Sequence, residues 1–143
     1  MSDSKEAGRR ILQPPSWPRP RGYANGIVAG GETIFLAGQV GWDAQGRFAE
    51  GLANQVRQAL ANIVTLLAQA GAGPQHLVRL TWYVTDLQAY RESLTPIGAA
   101  YREIIGKRFP TMSVIGVSQL VEPEALVEIE ATAVLPPAGS RLA

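Results

Sequence analysis

The stretch KRFPTMSVIGVSQLVEPEALVEIEATAVLP, residues 107–136, carries the strongest strand pattern of the chain. Its second half alternates strictly, which predicts a strand with one core face and one face that carries two acids. The core face holds Val127, Ile129, Ala131 and Ala133, and the other face holds Glu128, Glu130 and Thr132. The first half, residues 111–118, is rich in β-branched residues and has apolar side chains on both faces, so we expect a strand that is covered on both sides.

Two other segments repeat apolar residues at helical spacing. The first spans about residues 51–70 and ends at Gly71. The second spans about residues 87–105 and ends near Gly106, and Pro96 inside it predicts a kink or a break into two pieces. The apolar stripe of the first segment consists of Leu52, Val56, Leu60, Ile63, Leu67 and Ala70. Both segments therefore predict amphipathic helices with one buried face.

The remaining strand signals complete an α+β domain. Residues 77–85, LVRLTWYVT, predict a central strand, and residues 23–40 predict two strands joined in a hairpin at Gly30 and Gly31. The two helices can cover only one face of a sheet of five or six strands. The other sheet face is expected to carry semi-apolar residues, namely Met112, Val114, Tyr83 and Thr81. Burial of that face against other copies would explain them, so we expect a closed homo-oligomer.

Length and composition limit the function classes. The 143 residues suffice for a single domain, which we place at residues 23–136 between a flexible Pro/Arg-rich arm (1–22) and a C-terminal tail (137–143). The 13 basic and 12 acidic residues leave a net charge near +1, and much of the basic charge lies in the arm, so we do not expect nucleic acid as a partner.

Residue types that build common reactive centres are scarce. Cysteine is absent, which excludes disulfides, thiolate zinc sites and a cysteine nucleophile. His76 is the single histidine, so we expect no metal site, and we interpret His76 as a surface residue or a cap. No apolar run approaches the roughly 20 residues of a membrane span, and residues 1–10 lack a signal-peptide core. The predicted location is the cytoplasm, with no membrane contact.

The order and spacing of several segments resemble the RidA/YjgF family, the enamine/imine deaminase family also labelled L-PSP endoribonuclease. The resemblance covers about residues 21–136 and rests on RGY (21–23), FLAGQV (35–40), LVRLTWYVTD (77–86), FPTMS (109–113) and VEIEATAV (127–134). It implies a chorismate-mutase-like α+β fold, with a mixed sheet of about six strands and two helices on one face. It also implies a homotrimer with ligand clefts between subunits. The implied activity is hydrolysis of a reactive enamine or imine to a carbonyl product and ammonia, with no metal and no cofactor.

The resemblance assigns roles to particular residues. Tyr23 matches the cleft tyrosine of the family, Gly38 matches the glycine whose backbone meets the ligand, and Glu128 matches the acid that positions the attacking water. Met112 falls where active deaminases have the arginine that holds the substrate carboxylate, and Val114 falls where many have a cysteine. We therefore predict Glu128 as the catalytic residue and the other four as substrate-binding residues.

Loss of the arginine predicts an altered substrate preference. A guanidinium makes a bidentate, charge-assisted pair with a carboxylate, whereas the Met112 thioether is only a weak acceptor. A lost hydrogen bond to a charged group costs roughly 1.5 to 3 kcal/mol, about ten- to a hundredfold in affinity. Either another cation, such as Arg21 or Arg108 from an adjoining chain, restores the charge, or the ligand is less acidic and more apolar.

Two other function classes stay open beside the deaminase. A non-catalytic trimer that binds a small metabolite or a partner protein is favoured if Met112 and Val114 fill the cleft. Ribonuclease or translation-inhibitor activity ranks last, because no aromatic-plus-basic platform is evident on the domain. Without the resemblance, two glutamates at i and i+2 are typical of a solvated strand face. We interpret Glu130 as a structural partner of Arg79 or another base.

Overall fold

The structure, a computed structural model, describes residues 5–6 and 8–138 of the chain. These residues form seven strands and three helices. In chain order they are β1 (Lys5–Glu6), β2 (Arg9–Leu12), β3 (Gly26–Ala29), β4 (Glu32–Val40), α1 (Leu52–Gln69), β5 (Leu77–Val84), α2 (Leu87–Glu92), α3 (Leu94–Ile104), β6 (Thr111–Gly116) and β7 (Val127–Leu135).

A four-stranded mixed sheet in the order β4-β7-β5-β6 carries the core. Strand β7 is antiparallel to both β4 and β5, and β5 is parallel to β6. The helices lie on one face, where α1 packs against β4, β7 and α3. The α+β class is thereby confirmed, and β5 is an internal strand as predicted. The strands divide between this sheet and a second one instead of forming one sheet of about six.

The predicted alternation of β7 is confirmed. Residues Val127, Ile129 and Ala133 are fully buried, whereas Glu128 is half-buried and Glu130 is exposed. The apolar side chains meet the stripe of α1, because Val56, Leu60, Ile63 and Leu67 belong to the same buried cluster. Burial of this cluster is the main force that holds α1 on the sheet.

Both predicted helices exist, and the second is broken. Helix α1 ends in a Schellman motif, in which Gly71, with φ of 72°, donates its N–H to Ala68 and Ala72 donates to Leu67. The second segment divides at Ser93, so that Pro96 lies in the first turn of α3. The missing N–H of Pro96 costs no hydrogen bond in that turn, and its ring would clash with the carbonyl of residue 92 in a continuous helix.

The predicted hairpin at Gly30 and Gly31 is wrong. Strand β3 pairs with β2 in a three-stranded sheet β1-β2-β3, and β4 pairs with β7. The primed turns that close two-residue hairpins need positive φ at the first central residue, and Gly30 has none. Gly31 instead, with φ of 141°, packs its backbone against the Leu135 carbonyl, where a side chain would collide.

Part of the predicted flexible arm is regular structure. Strand β2 pairs antiparallel with β3 from Arg9 opposite Ala29 to Leu12 opposite Gly26. The N–H of Gly30 also donates to the carbonyl of Gly8 at 2.9 Å. The boundary between arm and domain at residues 22 and 23 stays a prediction, and most of the predicted tail, residues 139–143, lies outside the described residues. Within the described part of the chain, no helix combines the length and apolar character needed to cross a membrane.

Candidate functional site

Glu128 and Gly38 meet at a β-bulge between β7 and β4. Leu36 pairs with Ala131 and Gln39 pairs with Ile129, so that two residues of β4, Ala37 and Gly38, lie opposite one residue of β7. A bulge of this kind bends the strand and redirects side chains next to it. Here it turns the backbone of Gly38 toward the Glu128 side chain.

The absence of a side chain at Gly38 gives the Glu128 carboxylate its place. A Cβ built on Gly38 would lie 2.7 Å from both Cγ and Cδ of Glu128, well inside van der Waals contact. Among the described residues, no hydrogen bond or ion pair to the Glu128 carboxylate is found. The carboxylate is half-buried and free to accept a hydrogen bond from a water molecule or a ligand.

Glu130, on the same face, is bound to a tyrosine. The Tyr83 hydroxyl donates to Oε1 of Glu130 at 2.6 Å, whereas Arg79 lies opposite Thr132 in the strand register. The predicted pairing of Glu130 with a basic residue is therefore wrong, because the register brings a tyrosine within reach. The hydrogen bond to Glu130 raises the pKa of Tyr83, with further contributions from burial and from the charges of Glu130 and Glu128. The hydroxyl keeps its proton at neutral pH, so the two glutamates differ: Glu130 is held by a donor, and Glu128 has none among the described residues.

A buried amide fixes the start of β7. Gln55 of α1 is 3% exposed, and its Oε1 accepts a hydrogen bond from the N–H of Leu126 at 2.8 Å. Its Nε2 donates to the carbonyls of Glu124 at 3.1 Å and Ala49 at 3.3 Å. These bonds anchor the chain two residues before Glu128. The role of Gln55 was not predicted, because a polar residue beside an apolar helical stripe is usually solvated.

Tyr23 lies at the other edge of the sheet. The next residue, Ala24, forms a bridge with Thr111 at the start of β6, and its N–H donates to the Pro110 carbonyl at 3.0 Å. Gly38 is on β4, the opposite edge strand in the order β4-β7-β5-β6. Tyr23 and the pair of Gly38 and Glu128 are therefore separated by most of the width of the sheet.

The strand register sets the scale of that separation. Ala24, Thr111, Arg79 and Thr132 stand side by side on successive chain segments, and Glu128 is four residues along β7 from Thr132. With standard strand spacing and rise, this amounts to ~14 Å across the sheet and ~13 Å along it, or ~20 Å between backbones. A small imino acid cannot contact both side chains within one chain.

Met112 and Val114 lie on the helix-covered face of β6, so their predicted place on the other sheet face is wrong. They pair with Leu80 and Trp82 of β5, and both pack against the buried cluster. Glu128 pairs with Tyr83, so its side chain is on the opposite face. Of the predicted site residues, one chain brings together Gly38 and Glu128, and the substrate-binding roles of the others stay predictions.

Tyr23 lines a cavity of about 490 Å³ that is built largely by the arm. Aromatic rings and prolines form most of its wall, with one cation and one amide. The lining residues are Ile11, Gln13, Pro14, Pro15, Trp17, Arg19, Pro20, Tyr23, Ala24 and Phe109. Arg21 and Arg108, which we considered as replacements for the missing arginine, do not line this cavity. Arg19 does, and the pairing of β2 with β3 that places the arm gave no signal in the sequence.

Phe109 is held in the cavity wall from behind. Its ring stacks on Tyr101 of α3, with centroids 5.8 Å apart and planes 7° from parallel. The Tyr101 hydroxyl donates to the Arg108 carbonyl, and burial raises the pKa of Tyr101. His76 serves as a cap, as predicted: its Nδ1 accepts from the N–H of Gly73 at 3.0 Å.

Comparison with known proteins relates most of the chain to one family. The family described as Endoribonuclease L-PSP matches residues 18–135. A RutC family protein of Synechocystis is 32% identical over 135 residues, which is 89% of this chain and 97% of that protein. A Bos taurus protein named 2-iminobutanoate/2-iminopropanoate deaminase is 30% identical over 131 residues, 90% of this chain and 92% of its own. Among solved structures, the Rid family protein YyfB of Yersinia pestis, of unknown function, matches with a TM-score of 0.80 and 36% identity over 90% of this chain and 99% of that one.

Proposed function

Since this chain belongs to the RidA/YjgF family, we propose that it is a hydrolytic deaminase that converts a reactive imine or enamine to a carbonyl compound and ammonia. Relatives whose sequences align with 90% of this chain carry the name 2-iminobutanoate/2-iminopropanoate deaminase. The observation that carries the proposal is the Glu128 carboxylate beside the backbone of Gly38, for which the described part of the chain provides no hydrogen-bond donor. We keep the cytoplasm as the expected location.

Glu128 acts as the general base of this reaction. It takes a proton from a water molecule whose oxygen attacks the C=N carbon, and the imine nitrogen is protonated to give an aminoalcohol. The C–N bond then breaks, the nitrogen leaves as ammonia with the protons gained, and the hydroxyl becomes the carbonyl oxygen. One imine and one water thus give one carbonyl product and one ammonia. Glu130 is unsuited to this role because its carboxylate already accepts a hydrogen bond from the Tyr83 hydroxyl.

The complete site is proposed to form between copies of the chain in a homotrimer. The support for this proposal is the separation of ~20 Å between the backbones of Tyr23 and Glu128 within one chain. In an oligomer, Tyr23 of one copy can lie next to Glu128 of another. The sheet face that carries Glu128 also exposes apolar side chains, with Phe35 at 79% and Ile115 at 43% exposed. Exposed apolar area of this kind favours association.

The assay is ammonia release from imines generated in situ by an amino-acid oxidase. We expect the wild type to accelerate release and Glu128→Gln to lose about 10²- to 10⁴-fold of that acceleration, the usual contribution of a general base. Acidic, neutral and aromatic amino acids are compared, because Met112 predicts a departure from small acidic substrates. A wild type that does not exceed the uncatalysed rate on any of these imines would contradict the proposal.

A non-catalytic binding protein is the second candidate. It is favoured by the position of Met112, which packs against the core and supplies no cation for a substrate carboxylate. If binding is the whole function, a ligand of the cleft binds equally to wild type and to Glu128→Gln and neither releases ammonia.

A further inference from the structure

We infer that the arm cavity binds the carboxylate and side-chain end of the substrate, with Arg19 as the carboxylate anchor and Trp17, Tyr23 and Phe109 as walls for an aromatic or large apolar group. This inference deepens the proposed function and rests on it. The substrate class would then be 2-imino acids derived from aromatic or bulky apolar amino acids.

The arm is positioned firmly enough to form one side of a binding site. Besides the β2–β3 pairing, a network of hydrogen bonds around Gln13 holds residues 13–18 in a closed turn. Nε2 of Gln13 donates to the carbonyls of Trp17 and Pro18 at 3.3 and 3.2 Å, and Oε1 accepts from Asn25 at 3.0 Å. The N–H of Trp17 donates to the Pro14 carbonyl at 3.1 Å. The cavity wall therefore exists before a ligand arrives, which lowers the entropic cost of binding.

The walls suit a flat or bulky apolar group. Trp17 and Tyr23 are 56% and 42% exposed although they line a concavity, so a ligand would cover apolar surface that water now contacts. Phe109 is braced by its stack on Tyr101. The volume of about 490 Å³ lies within the range of small-molecule sites. An imino acid with a short aliphatic side chain would fill little of it and would touch few of its walls.

Arg19 supplies the charge. No other charged side chain of the described residues lines the cavity, and no hydrogen bond or ion pair of Arg19 with the described residues is found. Its guanidinium can offer two parallel N–H donors to a carboxylate. It lies in the same cavity as Tyr23, so it can serve the function for which Met112 is unsuited.

The test is direct binding of phenylacetate to the full-length protein, measured by titration calorimetry and independent of turnover. Phenylacetate carries an aromatic ring and a carboxylate and cannot react. We expect Arg19→Gln to weaken its binding by about five- to tenfold, the low end for a charged hydrogen bond because Arg19 is exposed. The control is Arg10→Gln, an exposed arginine of the same arm that does not line the cavity, and it should bind as the wild type does.

Two further probes separate the charge from the ring. Phenylacetamide, which lacks the charge, should bind the wild type more weakly than phenylacetate does. The Arg19→Gln variant should bind phenylacetamide and phenylacetate with equal affinity. Acetate, which lacks the ring, should bind weakly to every variant, and Trp17→Ala should reduce the affinity for phenylacetate. Rising salt should weaken phenylacetate binding to the wild type more than to Arg19→Gln.

The inference is overturned if phenylacetate fails to bind the wild type at millimolar concentration, or if Arg19→Gln binds it as tightly as Arg10→Gln. Equal affinity for acetate and phenylacetate would equally reject the aromatic walls. These failures are distinct from failure of the deaminase proposal: ammonia release that depends on Glu128, together with unchanged phenylacetate binding in Arg19→Gln, would leave the activity standing and place the carboxylate elsewhere.

Discussion

Gly38 and Glu128 are in direct contact across the bulge of β4 and β7, and the carboxylate occupies the space that a side chain at residue 38 would need. The base and the strand backbone beneath it therefore form one unit. A water or ligand that meets the Glu128 carboxylate therefore also meets the backbone of β4 at Gly38.

Gly38→Ala should displace the Glu128 side chain and lower ammonia release by at least about tenfold, because a misplaced base loses its alignment with the attacking water. The control is Gly98→Ala in α3. A Cβ there meets nothing closer than the Arg102 guanidinium at 3.4 Å. This variant should keep full activity and gain roughly 0.5 to 1 kcal/mol of stability from reduced backbone entropy of the unfolded chain. Equal activity of the two variants would refute the contact as a determinant of the base position.

Gln55→Leu should destabilise the protein by roughly 1 to 3 kcal/mol, because it leaves the partly buried Leu126 N–H and two carbonyls without their partner. The measurement is urea unfolding followed by circular dichroism. Gln69→Leu, at the exposed end of the same helix, is the matched control and should change stability by less than about 0.5 kcal/mol. Similar losses in both variants would show that Gln55 does not hold the start of β7.

Tyr101 should make the fold sensitive to alkali. Burial raises its pKa in the folded state, so the stability it contributes is fully present below the unfolded value of about 10 and is lost as the pH rises through the folded value. At pH 8, Tyr101→Phe should be about 1 to 2 kcal/mol less stable than the wild type, because the bond to the Arg108 carbonyl is lost. Above pH 10 the difference should shrink. A constant difference between pH 8 and pH 11 would contradict this linkage.

Mixed oligomers test whether the site is shared between chains. We expect each of the variants Tyr23→Ala and Glu128→Gln to be impaired. When the two are refolded together in equal amounts, about a quarter of the wild-type activity should return. This is the fraction of randomly formed interfaces that pairs an intact Tyr23 with an intact Glu128. A site contained within one chain would show no recovery above the mean of the two variants.

Local patterns in the sequence predicted those parts of the fold that local physics decides. The alternation in residues 126–134 identified the core face of β7, and the apolar stripe with Gly71 located α1 and its end. The predicted pairing of β3 with β4 was wrong because the two glycines suggested a local turn. In the structure, β3 pairs with β2 and β4 pairs with β7, and neither pairing is local in the sequence.

The candidate site was predictable only through the resemblance and only in part. The resemblance named Glu128 and Gly38, which lie next to each other in the structure. The Tyr83 partner of Glu130 depends on a strand register that residue types do not reveal. Arg19 was missed because a Pro/Arg-rich segment without periodicity looks unstructured until its pairing with β3 is known.

The most direct test of the account compares two glutamates on the same strand face. Ammonia release from the imine of phenylalanine, generated in situ, is measured for the wild type, Glu128→Gln and Glu130→Gln at equal concentrations of folded protein. We predict that Glu128→Gln loses about 10²-fold or more while Glu130→Gln stays within about tenfold of the wild type, because only the unpaired carboxylate can take the proton of the attacking water. Equal rates for wild type and Glu128→Gln would contradict the account.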